Sequence, residues 1–130
     1  MGLSNLFYLF CNANNSLRLI LESLPSGVLR QVTIQFPDPW FKRKHQKRRV
    51  VQPELVAALA ETMPAGASVF LQSDVEEVAR EMVDRFSENP AFHRQYPDWL
   101  SINPMPIPTE RELSTLSRGE AVYRAVLVRV

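Results

Sequence analysis

Two prolines, Pro37 and Pro39, bracket one aspartate, Asp38, in the run FPDPWFKRKHQKRR over residues 36–49, and no helix can pass through them. Each proline fixes its own φ, lacks an N–H donor and disfavours the helical region for the residue before it. Phe36 and Asp38 are therefore expected to be extended. The preceding residues 32–36, VTIQF, are β-branched and aromatic and read as a short strand. The chain must leave a strand, turn at Asp38 and enter a basic run. Open α/β sheets bind their ligands outside the carboxyl ends of strands, which is where this segment falls.

Six of the eight residues 42–49 are Lys or Arg, yet the 130-residue chain carries a net charge of only +1. Positive charge is gathered into one segment and the remainder is net acidic. A basic run by itself is most often a solvated loop. Trp40 and Phe41 directly before it shift that reading, because aromatic planes stack bases while cations neutralise phosphates. Nucleic-acid binding, RNA in particular, is the expectation.

The remaining pattern alternates strand and helix. Residues 6–11, LFYLFC, form a continuous apolar run in the style of a buried parallel strand. Asn14, Asn15 and Ser16 offer caps for a helix in which Leu17, Ile20, Leu21 and Leu24 recur at helical spacing before Pro25-Ser26-Gly27. Pro53 suits a first helical position, with Leu55, Val56, Leu59, Ala60 and Met63 on one face and Pro64-Ala65-Gly66 as the stop. Residues 68–72 read as a strand. Val75, Val78, Ala79, Met82, Val83 and Phe86 mark the inner face of a third helix. Five prolines between Asn89 and Pro108 predict extended, turn-rich chain, and residues 123–130 predict a strand that terminates the sheet.

This alternation predicts an α/β fold, a doubly wound and mostly parallel Rossmann-like sheet with helices on both faces, in one domain over residues 1–130. An apolar content of 45% supplies a core. No segment approaches the run of about 20 apolar residues that spans a bilayer. The one cysteine, Cys11, excludes an internal disulfide and suits a reducing cytoplasm; within an apolar strand it would be a packed thiol. With only His45 and His93, a metal site has little support.

The run at residues 36–49, followed by Gln52-Pro53-Glu54-Leu55, LQSDVEEVA at 71–79, Asn103-Pro104, PTERE at 108–112 and Tyr123-Arg124, resembles the bacterial tRNA (guanine-N7-)-methyltransferase family. The resemblance runs from about Asn5 to the C-terminus. It implies transfer of a methyl group from S-adenosylmethionine to the guanine at position 46, in the tRNA variable loop. It also implies roles for individual residues. Asp38 would be catalytic and would lie at both cofactor and target guanine, and Asn12 would meet the adenine end of the cofactor. Lys42 and Asp74 would contact substrate, with Thr109, Glu110, Arg111 and Glu112 on the guanine side. Lys44, His45, Gln46, Lys47, Arg48 and Arg49 would contact tRNA.

Local readings stand beside these roles. Asn12 also fits a turn or helix cap. Ser73-x-x-Glu76 and Thr109-x-x-Glu112 are both capping-box patterns, so Asp74 and the Thr109 loop are read equally as helix starts. The family's glycine-rich cofactor turn has no counterpart here: of the four glycines, Gly2, Gly27, Gly66 and Gly119, none lies in a G-x-G context.

The family's sheet order, 3-2-1-4-5-7-6, makes residues 6–11 strand three, separated from its usual neighbours. Unpaired buried amides cost about 1–3 kcal/mol each, so the segment is expected to re-pair beside residues 32–36 or with another copy in a homodimer through the sheet edge. Re-pairing would carry Asn12 across the cofactor position. Activity below detection is the expected consequence, and weak cofactor binding is expected separately because only Asn12 and the Asp38 region remain of the site that the resemblance implies. A tRNA methyltransferase and a non-catalytic RNA-binding module are thus the two functional readings.

Overall fold

The computed structural model describes residues 4–130. In chain order the elements are helix α1 (Ala13–Glu22), strand β1 (Gln31–Gln35), a 3-10 helix (Arg43–Arg48), α2 (Pro53–Thr62), β2 (Ser68–Ser73), α3 (Glu76–Ser87), β3 (Phe92–Arg94), α4 (Glu110–Ser117) and β4 (Tyr123–Arg129). The four strands form one sheet in the order β1-β2-β4-β3. β1 and β2 are parallel, with Gln35 opposite Gln72, and β4 runs antiparallel to both β2 and β3. Three strands therefore share a direction and β4 is reversed. Counted as strands four to seven, the order is 4-5-7-6, the second half of the expected sheet.

β2 is buried along its centre, and strand alternation divides its side chains between two faces. Val69 and Leu71, with Ala125 and Leu127 of β4, join Leu55, Val56 and Leu59 of α2 and Val78, Met82 and Phe86 of α3 in one core. Gln72 and Arg124 point to the other face, where α4 lies. Helices thus cover both faces, three on one and α4 on the other. Pro53 opens α2 as expected, and Gly66 (φ 87) closes the turn before β2, with the Ala67 N–H donating to the Pro64 carbonyl at 3.1 Å.

The first strand expectation fails. Residues 6–11 form no strand, and Leu6, Phe7, Tyr8, Leu9 and Phe10 are 48%, 83%, 87%, 69% and 109% exposed. An apolar run signals burial, but its partner must exist on the sheet, and no strand lies beyond β1 among the described residues. The re-pairing beside β1 is therefore not formed, and Asn12 does not cross the Asp38 turn on its account. Cys11 is exposed rather than packed. The α1 cap is Asn12, whose Oδ1 accepts from the Asn14 N–H at 3.0 Å, and not the Asn14–Ser16 group.

Two further corrections concern the second half of the chain. β4 does not terminate the sheet; β3, hidden in the proline-rich stretch, takes the edge. The capping box at Ser73 does not form either. The α3 N-cap is Val75, with Ser73 Oγ accepting from the Val75 N–H at 3.1 Å. No helix among the described residues is long and apolar enough to cross a membrane.

Candidate functional site

β1 and β2 leave the sheet side by side, and the chain after each carries a predicted carboxylate. The Phe36 N–H extends the ladder by one bond, donating to the Gln72 carbonyl at 2.8 Å. Phe36 is not extended, contrary to expectation: its φ is 50°, and Trp40 has φ 45°. Left-handed backbone at a bulky residue costs about 1–3 kcal/mol and persists only where the surroundings hold it. Pro37-Asp38-Pro39 is suspended between these two positions. Asp38 is exposed, and no side-chain hydrogen bond or ion pair engages its carboxylate among the described residues. A rigid backbone thus presents an uncommitted negative charge.

The basic run is a 3-10 helix rather than an irregular loop. Lys42, Lys44, Lys47 and Arg48 are exposed, while His45 and Gln46 are half-buried. The Arg48 guanidinium sits 5.2 Å from the Trp40 ring centroid, and the His45 ring meets Trp40 edge-on at 5.9 Å. Trp40 is thereby covered by the basic helix, and Phe41, 65% exposed, is the aromatic face left open to solvent. Arg49 is the exception in the run. It is 3% exposed and its donors are directed into the protein, so it does not belong to the exposed RNA-contacting set.

Asp74 and Arg111 are brought together, with an Arg111 nitrogen 2.7 Å from Asp74 Oδ2. The Arg111 guanidinium also lies 5.9 Å from the Phe36 ring centroid, which links the chain after β2 to the start of the Asp38 turn. At the far end of α4, a hydrogen bond from Arg118 holds the Glu120 carboxyl below the usual range, with Asp74 opposing and Arg111 adding to that effect. Glu110 is exposed on the first turn of α4. Thr109 is a true N-cap, its Oγ1 accepting from the Glu112 N–H at 3.1 Å.

Glu112 separates from its neighbours in the motif. It is 3% exposed and faces the sheet. Its Oε1 accepts from Gln72 Nε2 at 2.9 Å and from Asn103 Nδ2 at 2.6 Å, and its Oε2 accepts from Arg124 at 3.1 Å. Arg124 also donates to Gln72 Oε1 at 2.7 Å and to the Ser101 carbonyl at 3.0 Å. Gln72 Nε2 reaches Gln35 Oε1 at 3.0 Å. Both oxygens of the buried carboxylate are committed, so Glu112 braces α4 against β2 and β4 and is not free for guanine. Gln35, Gln72, Asn103 and Arg124 were missed as site residues. The available signal was a polar side chain inside each of two otherwise apolar strands, SVFLQS and YRAVLVR.

Toward a nucleoside cofactor, the donor set fits in part. Asp38 is free, whereas Asn12 is exposed at the start of α1 with its Oδ1 committed to the cap.

Residues 1–125 match the profile of a family described as putative methyltransferase. A tRNA (guanine-N(7)-)-methyltransferase of Trichormus variabilis is 62% identical over 131 residues, covering 100% of this chain and 61% of the relative. Its counterpart in Synechococcus elongatus is 59% identical over 127 residues, covering 98% of this chain and 60% of the relative. The chain therefore spans about 60% of the length of the curated relatives it matches. A SAM-dependent O-methyltransferase of Thermotoga maritima superposes with a TM-score of 0.43 at 15% identity, over 85% of this chain and 37% of that one, and carries no weight here. On the profile match, which extends over nearly the whole sequence, the chain belongs to this methyltransferase family.

Proposed function

We propose that the chain serves in S-adenosylmethionine-dependent methylation of guanine N7 in tRNA, and that it carries the tRNA-facing side of the site as one domain. One observation carries the reading: an uncommitted carboxylate, Asp38, stands on a backbone-locked turn that runs directly into an exposed cationic helix. The names of the relatives support the substrate.

Guanine N7 is a lone-pair nucleophile with no proton to lose, so the reaction requires alignment more than a general base. The cofactor, when bound, supplies an electrophilic methyl group on a sulfonium. Asp38 stabilises the positive charge that develops on the purine and accepts from its N1–H or amino group, which selects guanine. Lys42, Lys44, Lys47 and Arg48 neutralise phosphates, and Phe41 offers an open ring for stacking. Asp74 and Arg111 present a paired donor and acceptor to the base or sugar. Glu112 holds Arg111 and Thr109 in place from beneath. A tRNA substrate supports a cytoplasmic location.

The alternative is a non-catalytic RNA-binding module. It is favoured by one specific observation, the engagement of the Asn12 Oδ1 in a helix cap. Methyl transfer from labelled cofactor to tRNA, with Asp38→Ala as control, separates the two.

For a partner beyond tRNA, we propose a second copy of the chain. Leu17, Ile20, Val32 and Ile34 line an apolar groove of about 420 Å³ beside the edge of β1, which no strand among the described residues pairs, and the same chain exposes the apolar residues 6–10.

A further inference from the structure

Arg49 ends the basic run in sequence but not in space. Its Nε donates to the Pro39 carbonyl at 2.7 Å, one terminal nitrogen pairs with Glu81, and the other lies 3.4 Å from Glu77. Both glutamates belong to α3. The Arg49 backbone is itself tied down, its carbonyl accepting from Gln52 Nε2 at 2.8 Å at the start of α2. One guanidinium thus joins α3 to the backbone of the residue that follows Asp38.

The Asp38 turn requires such a fixture. Its two flanking aromatic residues, Phe36 and Trp40, hold left-handed φ angles that no bulky residue keeps unaided. The upstream end is fixed by the Phe36 N–H on the Gln72 carbonyl. Downstream, Arg49 on the Pro39 carbonyl is the corresponding bond. Among the described residues Asp38 has no side-chain partner of its own, so its carboxylate takes its position from the backbone between these two bonds.

We propose that Arg49 is a positioning residue for Asp38, a pin anchored by Glu81 and Glu77, and not a phosphate contact. A planar fork suits this role, because it meets a carbonyl and two carboxylates at once; lysine has a single charged nitrogen. What Asp38 then does to a base rests on the function proposed above, but the pin itself is measurable without it.

Trp40 reports on the turn. A Trp99→Phe background leaves it as the lone tryptophan, since the chain has two. Arg49→Lys and Glu81→Gln are each made in that background. The measurements are Trp40 emission, its quenching by acrylamide, the urea midpoint and tRNA affinity against salt. Both variants are expected to shift Trp40 emission to the red and raise quenching severalfold while leaving the salt slope unchanged. Glu81→Gln keeps Arg49 itself intact and tests the anchor should Arg49→Lys fold poorly.

In tRNA binding, Asp38→Ala is expected to cost about tenfold in the wild-type background and under twofold beside Arg49→Lys, by the logic of a double-mutant cycle. In a third variant, Arg49→Gln, which removes the charge that lysine keeps, a salt slope that falls by about 0.7–0.9 with Trp40 unchanged would make Arg49 a phosphate contact and overturn the proposal. A lower urea midpoint with neither the Trp40 shift nor the Asp38 coupling would overturn it as well, by reducing Arg49 to a general stabiliser. Should Asp38→Ala leave tRNA binding unchanged in the wild-type background while both Trp40 shifts appear, the pin stands and the functional reading falls.

Discussion

Replacing Glu112 with leucine separates a structural brace from a substrate contact. In the wild type the carboxylate accepts from Gln72, Asn103 and Arg124, and the Arg124 and Glu112 side chains are 6% and 4% exposed. Glu112→Leu leaves the Arg124 charge buried without its counter-ion. Removing one partner of a buried pair costs about 3–5 kcal/mol, because the surviving charge is not resolvated. Arg124 retains Gln72 Oε1 and the Ser101 carbonyl as acceptors, which places the expected loss near the low end, about 3 kcal/mol. For a chain of 130 residues this corresponds to a Tm lower by roughly 10 °C. The assay is thermal and urea unfolding followed by circular dichroism, with Glu110→Leu as the control on the exposed side of the same helix. That control removes one charge near a helix N-terminus and is expected to cost under about 1 kcal/mol. Equal melting of the two variants, within about 2 °C, would refute the brace and return Glu112 to the substrate-contact role.

Replacing Lys44, Lys47 and Arg48 together with alanine should weaken tRNA binding and flatten its salt dependence by up to about 2–3 in log–log slope, read by filter binding; an unchanged slope would remove the 3-10 helix from the interface. Calorimetry of the chain with S-adenosylmethionine should give no micromolar isotherm, because only two cofactor residues are expected, Asp38 and Asn12, and the Asn12 Oδ1 is engaged in a helix cap; micromolar binding would show that a second copy or an unassigned surface completes the site. Light scattering should report a dimer that Phe7→Asp with Phe10→Asp converts to a folded monomer; a wild-type monomer at high concentration would contradict the edge interface.

Much of the frame was legible because its signals are local. Pro53 at a helix start, the apolar face of α3 and the strand SVFLQS each report a structure that neighbouring residues decide. The order of four strands followed from the family resemblance once strand positions were known. Residues 6–11 misled for the opposite reason, since an apolar run states what a segment prefers and not whether a partner edge is there. β3 was hidden because three residues between prolines carry no periodicity, and its existence depends on β4, which follows some thirty residues later.

The site divides along the same line. Asp38, Lys42 and the exposed cations stand at and just after the proline-bounded turn where the sequence put them, and their side chains are open to solvent as residue type alone suggests. Arg49 and Glu112 were assigned outward with their neighbours because sequence order cannot show which member of a motif faces in. Each is turned inward by partners far away in the chain, Glu81 on α3 for Arg49 and Arg124 on β4 for Glu112. Left-handed Phe36 was equally out of reach, because the rule for a residue before proline points to extended backbone.

Single-turnover methyl transfer decides between a tRNA methyltransferase and an RNA-binding module. The chain is held in excess over a tRNA transcript, with labelled S-adenosylmethionine at millimolar concentration to offset its weak binding, and the product is mapped for N7-methylguanine by site-specific cleavage. Methylation is expected at one guanine, reduced at least about a hundredfold by Asp38→Ala while tRNA affinity falls no more than about tenfold. Normal tRNA binding by the wild-type chain with no N7-methylguanine formed would contradict it and leave a non-catalytic RNA-binding module.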